Sequence, residues 1–166
     1  MTPANDNHSV GAVYEIEFQL ECMRRGHTVS VPICDNAGYD AITVIRYEDG
    51  DLDEDSAAAR IAEAAAGDNT EVSSAFTGRV NLFARDHGLL VYDADALDNV
   101  NLVHESATIA ALTPYEVVQP KQMVATIKII PFAIPDSIAD GCTSIAAQNG
   151  GLIRIAPFKP LRAGLI

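Results

Sequence analysis

The last third of the sequence is made of short runs of β-branched residues separated by turn residues. Runs rich in valine, isoleucine and threonine cover residues 106–112, 116–118 and 122–132, and Gln119-Pro120-Lys121 separates the last two. β-branched side chains fit a pleated surface and lose freedom in a helix, so these runs predict strands. Because the turns between them are short, we expect mostly antiparallel pairing, which needs no long crossover.

Helical signals lie mainly before this region. Residues 11–25 place apolar side chains at helical spacing, and an alanine-rich run over residues 56–66 follows the acidic loop EDGDLDED. Asp93 is typical of a helix N-cap, and we predict that its helix reaches residue 103. Together these patterns predict an α+β fold with mixed helices and mostly antiparallel strands, strand-rich in the C-terminal third.

Weaker patterns give further elements. Residues 27–33 and 39–46 predict two strands paired as a hairpin, and residues 78–86 predict a short helix. A helix that begins at Pro135-Asp136 is expected to be interrupted by Gly141, since glycine is a poor helix former.

The acidic charge limits the classes of partner. The 166 residues include 23 acids and 11 bases, and the net charge of -12 opposes attraction to nucleic acid and to anionic membranes. No apolar run approaches the roughly 18 residues that a membrane helix needs, and the start MTPANDNHSV has no signal-peptide pattern. The three cysteines are too scattered for a disulfide framework or a zinc site, so we expect a cytoplasmic protein with reduced thiols and no bound metal.

A pattern of paired carboxylates lies in the first part of the sequence. The run GAVYEIEFQLECMRRGHTVSVPICDNAGYDAITV resembles the opening of a PD-(D/E)XK endonuclease, and Glu15 and Asp40 occupy the places of its acidic residues. Such carboxylates would hold Mg²⁺ for phosphodiester hydrolysis. The lysine that the family places soon afterwards is missing from residues 41–65. The resemblance therefore implies an inactive endonuclease remnant; the alternative is a surface helix glutamate and a hairpin aspartate.

A second resemblance extends over the larger part of the sequence, in four blocks. They are EDGDLDEDSAAARIAEAAAG, FTGRVNLFARDHGLLVYD, QMVATIKIIPFAIP and IRIAPFKPLRAGLI. In this order they resemble the N-terminal region of bacterial molybdopterin-binding proteins, which are sometimes fused to a nucleotidyltransferase. The resemblance implies a non-catalytic module of molybdenum cofactor biosynthesis or handling. It implies molybdopterin or Mo-molybdopterin as the cofactor of the pathway, with none held by this protein itself.

The two resemblances predict how the protein is organised. Residues 1–45 would be an incomplete nuclease-like helix and hairpin, and residues 46–166 the N-terminal region of a molybdopterin-binding-type protein. The pterin-binding domain of that family begins just after the PLRAGLI segment, so we expect a truncated or recombined chain with a junction near residues 41–47. A pterin-binding or nucleotidyltransferase domain would then be the partner. A plain interaction protein that dimerises through its apolar terminus, Leu165 and Ile166, is a further alternative.

Three residues are candidates for contact with a phosphate of the pterin or of a nucleotide. Arg79 and Asn81 follow a glycine at the predicted start of the helix over residues 78–86, where an anion would be favoured. Lys128 stands in the apolar strand VATIKII, where a cation needs a partner or access to water. The alternative is a structural arginine at a helix cap and an outward-facing strand lysine.

Lys121 stands where the resembling family has a glycine, in the turn before QMVATIKIIPF. A lysine is tolerable there only if the turn does not require a positive φ.

Overall fold

The structure is a computed structural model that describes residues 28–29, 44–162 and 164. The protein divides into two compact units, Met1–Asp49 and Gly50–Ile166. In the first unit, β1 (Thr28–Val29) pairs antiparallel with β2 (Val44–Ile45), within the two segments that the sequence predicts as a hairpin. The helix predicted over residues 11–25 lies outside the described residues.

The described residues of the second unit form three α-helices and the remaining strands. In order along the sequence they are β3 (Asp51–Asp53), α1 (Glu54–Ala65), β4 (Thr70–Val72), β5 (Arg79–Ala84), β6 (Gly88–Val91), α2 (Ala94–Asn101), β7 (Ala107–Ala111), β8 (Val117–Val118), β9 (Met123–Ile129), β10 (Ala133–Pro135), α3 (Asp136–Ala146) and β11 (Arg154–Pro157). A 3-10 turn, Gln148–Gly150, follows α3.

The strands form small antiparallel sheets. The largest has the order β4-β5-β9-β7, a second has the order β11-β6-β8, and β10 pairs with β3. Every pair of named strands is antiparallel. The one parallel contact among the described residues is an isolated bridge between Ala66 and Ile153. The predicted α+β class and the predicted antiparallel pairing are therefore confirmed.

The core lies between the four-stranded sheet and the helices. Helix α1 packs against β5, β9 and α3, while α2 packs against β7 and α3. The alanines of α1 let its backbone come close to the sheet, whose inner face carries the larger branched side chains. The fully buried branched residues are Ile61, Val80, Leu82, Leu90, Val100, Val118, Val124, Ile127, Ile129, Ile134, Ile153 and Ile155. At the surface, Arg60 of α1 forms ion pairs with Asp136 and Asp140 of α3.

Two predictions about local structure are wrong. Residues 79–84 form strand β5 instead of a helix, because Val80, Leu82 and Ala84 alternate with more exposed residues and are buried against the helices. Helix α3 runs through Gly141 without interruption. A Cβ on Gly141 would lie 3.1 Å from Cγ1 of Val103, so the glycine makes room for the segment that follows α2.

Among the described residues, no helix has the length and apolar character that crossing a membrane requires.

Candidate functional site

The three candidate residues of the second unit lie on one face of the four-stranded sheet. Arg79 of β5 is the direct cross-strand neighbour of Lys128 of β9, and Asn81 lies opposite Thr126. Residues two apart on a strand share a face, so these four residues belong to the same outer surface. The structure therefore brings together the residues that the sequence singles out.

The helix N-terminus that motivated two of these candidates does not exist. Arg79 and Asn81 lie in the middle sheet strand β5, whose amides bond to neighbouring strands. An anion beside β5 would be bound by side chains, because β4 and β9 pair with β5 on both of its sides.

Lys128 is held at the turn that precedes β5. Its Nζ donates a hydrogen bond of 2.5 Å to the carbonyl oxygen of Thr77. Its charge also acts on Glu54, the first residue of α1: burial raises the pKa of Glu54, and the nearby ammonium of Lys128 opposes that rise. Lys128 thus interacts with two groups of the protein itself, the Thr77 carbonyl and the Glu54 carboxylate.

The turn itself is strained. Thr77 and Gly78 have φ angles of 49° and 68°, and the flanking residues Phe76 and Arg79 exchange hydrogen bonds of 3.0 and 3.1 Å. Positive φ at both central residues defines the type I′ hairpin turn, where a β-branched residue such as Thr77 is costly. The Gly78 N–H donates to Oδ1 of Asp55 at 2.6 Å. Asp55 and Lys128 therefore each stabilise this turn with one hydrogen bond, to Gly78 and to Thr77 respectively.

Arg79 is the cation with free donors. Its side chain is exposed, and its single described contact is a long hydrogen bond of 3.4 Å from Nη1 to the hydroxyl oxygen of Thr126. It forms no ion pair with an acid in residues 44–162. A guanidinium carries five N–H donors in a fork that matches phosphate, so Arg79 and the Thr126 hydroxyl suit one anion.

The backbone N–H and carbonyl of Asn81 are both hydrogen-bonded to Ser73. Its N–H donates to Oγ of Ser73 at 3.0 Å, and its carbonyl accepts from the Ser73 N–H at 2.9 Å. Its Oδ1 is buried and has no hydrogen-bond partner among the described residues. Because that oxygen is shielded from solvent, Asn81 is less suited than Arg79 to meet a ligand.

The acids around α1 restrict what this face can bind. Glu54 and Asp55 lie at the turn beside Lys128, and Asp53 caps the same helix. Because these three carboxylates lie near the two cations, Arg79 and Lys128, this face carries no net positive charge. The residues fit one phosphate contact at Arg79, and they do not fit a polyanionic cofactor. Within the described part of the protein, His, Cys, Asp and Glu residues form no group of three that could hold a metal ion.

Thr126 is the member of this surface that sequence reasoning missed. The alternation in MVATIKI places it on the same face as Lys128, but the pattern of residues 78–86 predicts a helix and so hides the partner strand. With residues 79–84 recognised as a strand, the same alternation would have aligned Thr126 with Arg79 and Asn81.

No family model, no curated protein and no solved structure matches this protein. Both resemblances, to molybdopterin-binding proteins and to PD-(D/E)XK endonucleases, therefore stay predictions. Glu15 and Asp40, the nuclease-like candidates, lie outside the described residues.

Proposed function

We propose that residues 46–166 are a non-catalytic module for molybdenum cofactor biosynthesis or handling. In this proposal the module works in the cytoplasm beside a separate pterin-binding or nucleotidyltransferase domain, which binds the pterin ring. The module itself contributes a single phosphate contact at Arg79. It neither holds a metal nor performs chemistry.

The observation that carries the proposal is how the four sequence blocks pair. Strand β5 of the second block pairs with β9 of the third, β3 of the first with β10 of the third, and β6 of the second with β11 of the fourth. From Gly50 onward, the four blocks that carry the resemblance therefore lie in one folded unit, as the proposal requires.

The assignment of Arg79 rests on the state of the neighbouring cations. Lys128 is bound to the Thr77 carbonyl and faces Glu54, whereas Arg79 keeps most of its donors free. Phosphate recognition by arginine relies on such unoccupied, forked donors.

The test is co-purification from a bacterial host that makes molybdopterin. The full-length protein is isolated, oxidised to convert bound pterin into its fluorescent form, and the fluorescence is compared with that of Arg79→Ala and Arg154→Ala. Arg154 is an exposed strand arginine on the other sheet and serves as the control. We expect pterin with the wild type and Arg154→Ala and less with Arg79→Ala. Absence of pterin and of any co-purifying pathway protein from all three would refute the proposal.

A further inference from the structure

The sequence contains one asparagine that is followed by glycine, at Asn149-Gly150. It lies in the 3-10 turn Gln148–Gly150, between α3 and the segment that leads to β11. Both residues are exposed, and a Cβ placed on Gly150 would have no heavy atom within 4 Å. The backbone after Asn149 is therefore open to close approach by the asparagine side chain.

A single long hydrogen bond closes this turn. Asn149 has φ 59° and ψ 23°, outside the helical values of its neighbours, and Gly150 has φ 82°. The hydrogen bond that closes the turn, from the Gly151 N–H to the Gln148 carbonyl, measures 3.3 Å, at the long end of the usual range. The Asn149 side chain makes no hydrogen bond to any described residue. Within the described residues, no side-chain hydrogen bond therefore holds Asn149 away from the Gly150 nitrogen.

Other asparagines of the same unit are fixed by their side chains. The Nδ2 of Asn69 donates to the carbonyl of Ile155 at 3.0 Å. Asn101 donates to the Ile109 carbonyl at 3.0 Å and accepts from the Ile109 N–H at 2.7 Å. Neither of these is followed by glycine, so both serve as internal references.

We propose that Asn149 is a site of spontaneous deamidation. The Gly150 backbone nitrogen forms a bond to Cγ of Asn149 while the bond between Cγ and Nδ2 breaks. The leaving NH₂ group takes up the proton of the Gly150 amide and departs as ammonia, which leaves a cyclic imide. Water then adds to one of the two imide carbonyls and opens the ring to aspartate or isoaspartate. No oxidant, metal or enzyme is needed, and the product carries one more negative charge.

The modification acts on the entry to β11. Directly after Gly150, the Gly151 backbone lies against residues 66–67: a Cβ on Gly151 would come within 2.6 Å of the Ala66 oxygen and of Cα of Gly67. The next contacts, from the Gly67 N–H to the Ile153 carbonyl at 2.8 Å and from the Ile153 N–H to the Ala65 carbonyl at 2.9 Å, hold the backbone in register. An isoaspartate adds one atom to the backbone just before this tight packing. The isoaspartate form should therefore hold β11 less firmly.

The experiment is incubation of the purified full-length protein at neutral pH in water labelled with heavy oxygen, followed by peptide mapping. We expect one labelled oxygen at residue 149, mostly as isoaspartate, before any label at Asn69 or Asn101. Asn149→Gln should remove the label from this peptide, and Gly150→Ala should slow its uptake at least about tenfold, because a side chain hinders ring closure. The aged wild type should also melt at a lower temperature than the aged Asn149→Gln variant.

Two results would overturn the proposal. One is label that appears at Asn69 or Asn101 as early as at Asn149. The other is equal uptake at residue 149 in the wild type and in Gly150→Ala.

Discussion

At the scale of single residues, Lys121 has a backbone conformation that is unfavourable for a lysine. It lies in the turn before β9 with φ 68°, and its N–H donates to the Ala84 carbonyl at 2.7 Å. The turn therefore does require the positive φ that a glycine adopts without strain, and the condition for tolerating a lysine is not met. A non-glycine residue held in this region costs on the order of 1 kcal/mol.

Lys121→Gly is expected to raise the free energy of unfolding by up to about 1 kcal/mol, because relief of strain exceeds the entropy cost of a glycine. Chemical denaturation of the two proteins measures the change. Lys159→Gly is the control, since Lys159 is exposed and has no positive φ. That control should be neutral or slightly destabilising; equal effects at both positions would rule out strain at Lys121.

Asp53 is the residue whose charge most directly supports a helix. Its carboxylate accepts from the Ser56 hydroxyl at 2.5 Å and from the Ser56 N–H at 2.9 Å. These bonds hold the pKa of Asp53 below its usual 3.8, and the bond from the hydroxyl has the larger effect. A lowered pKa means that the stabilisation is complete above the unfolded-state value and is lost as the pH falls through the lower folded-state value.

Asp53→Ala should therefore lower the free energy of unfolding by about 1 kcal/mol at neutral pH, the usual effect of losing an N-cap. The difference from wild type should shrink as the pH drops below about 3.8. Urea unfolding at several pH values measures it. Asp68→Ala is the matched control, because Asp68 is exposed and its side chain makes no hydrogen bond to a described residue. A loss for Asp53→Ala that stays constant with pH would contradict this account.

At the scale of elements, the free edge of β7 is closed by a side chain. Strand β7 pairs with β9 on one side only, and on the other side Asn101 bonds to both the N–H and the carbonyl of Ile109. The amide of Asn101 thus takes the place of one residue of a neighbouring strand. Such covering matters because an uncovered edge is a template for pairing with another protein molecule.

Asn101→Ala should cost about 1 to 3 kcal/mol, since two hydrogen bonds are lost and the Ile109 groups are left without partners. It should also increase self-association, which sedimentation at several concentrations detects. Asn99→Ala, an exposed change in the same helix, controls for the higher helix propensity of alanine. If Asn99→Ala associates as much as Asn101→Ala, edge protection is not the reason.

Elements were predictable where the local pattern agrees with the final packing. The acidic start and alanine run of α1 and the Asp93 cap of α2 are visible in the sequence, and the structure contains both helices. Strand β5 was missed because glycine and short polar residues around residues 78–86 mimic a helix start. The alternation of buried and exposed residues in β5 identifies it as a strand only once its neighbours β4 and β9 are known. The sequence likewise predicts a helix break at Gly141, because the contact with Val103 that explains this glycine is not visible in the local pattern.

At the scale of the whole molecule, the candidate surface follows from the register of β5 and β9. The sequence identifies Arg79, Asn81 and Lys128 individually, but not their alignment with Thr126. It also gives no sign that Lys128 is engaged by Thr77, because that bond spans distant parts of the sequence. Of the three candidates for a phosphate contact, the structure leaves Arg79. Substitution of Arg79 is therefore the way to test the proposed function.

The most direct test is an equilibrium titration of molybdopterin against a pterin-binding domain of the pathway in the presence of the purified full-length protein, with Arg79→Ala and Arg154→Ala in parallel. Thermal unfolding of each protein first establishes that all three are folded. The account predicts that the wild type and Arg154→Ala tighten molybdopterin binding by that domain, and that binding is about tenfold weaker with Arg79→Ala than with the wild type, the loss of roughly one charge-assisted hydrogen bond. Folded wild-type protein that leaves the affinity of the pterin-binding domain for molybdopterin unchanged, or an equally strong effect of Arg79→Ala, would contradict it.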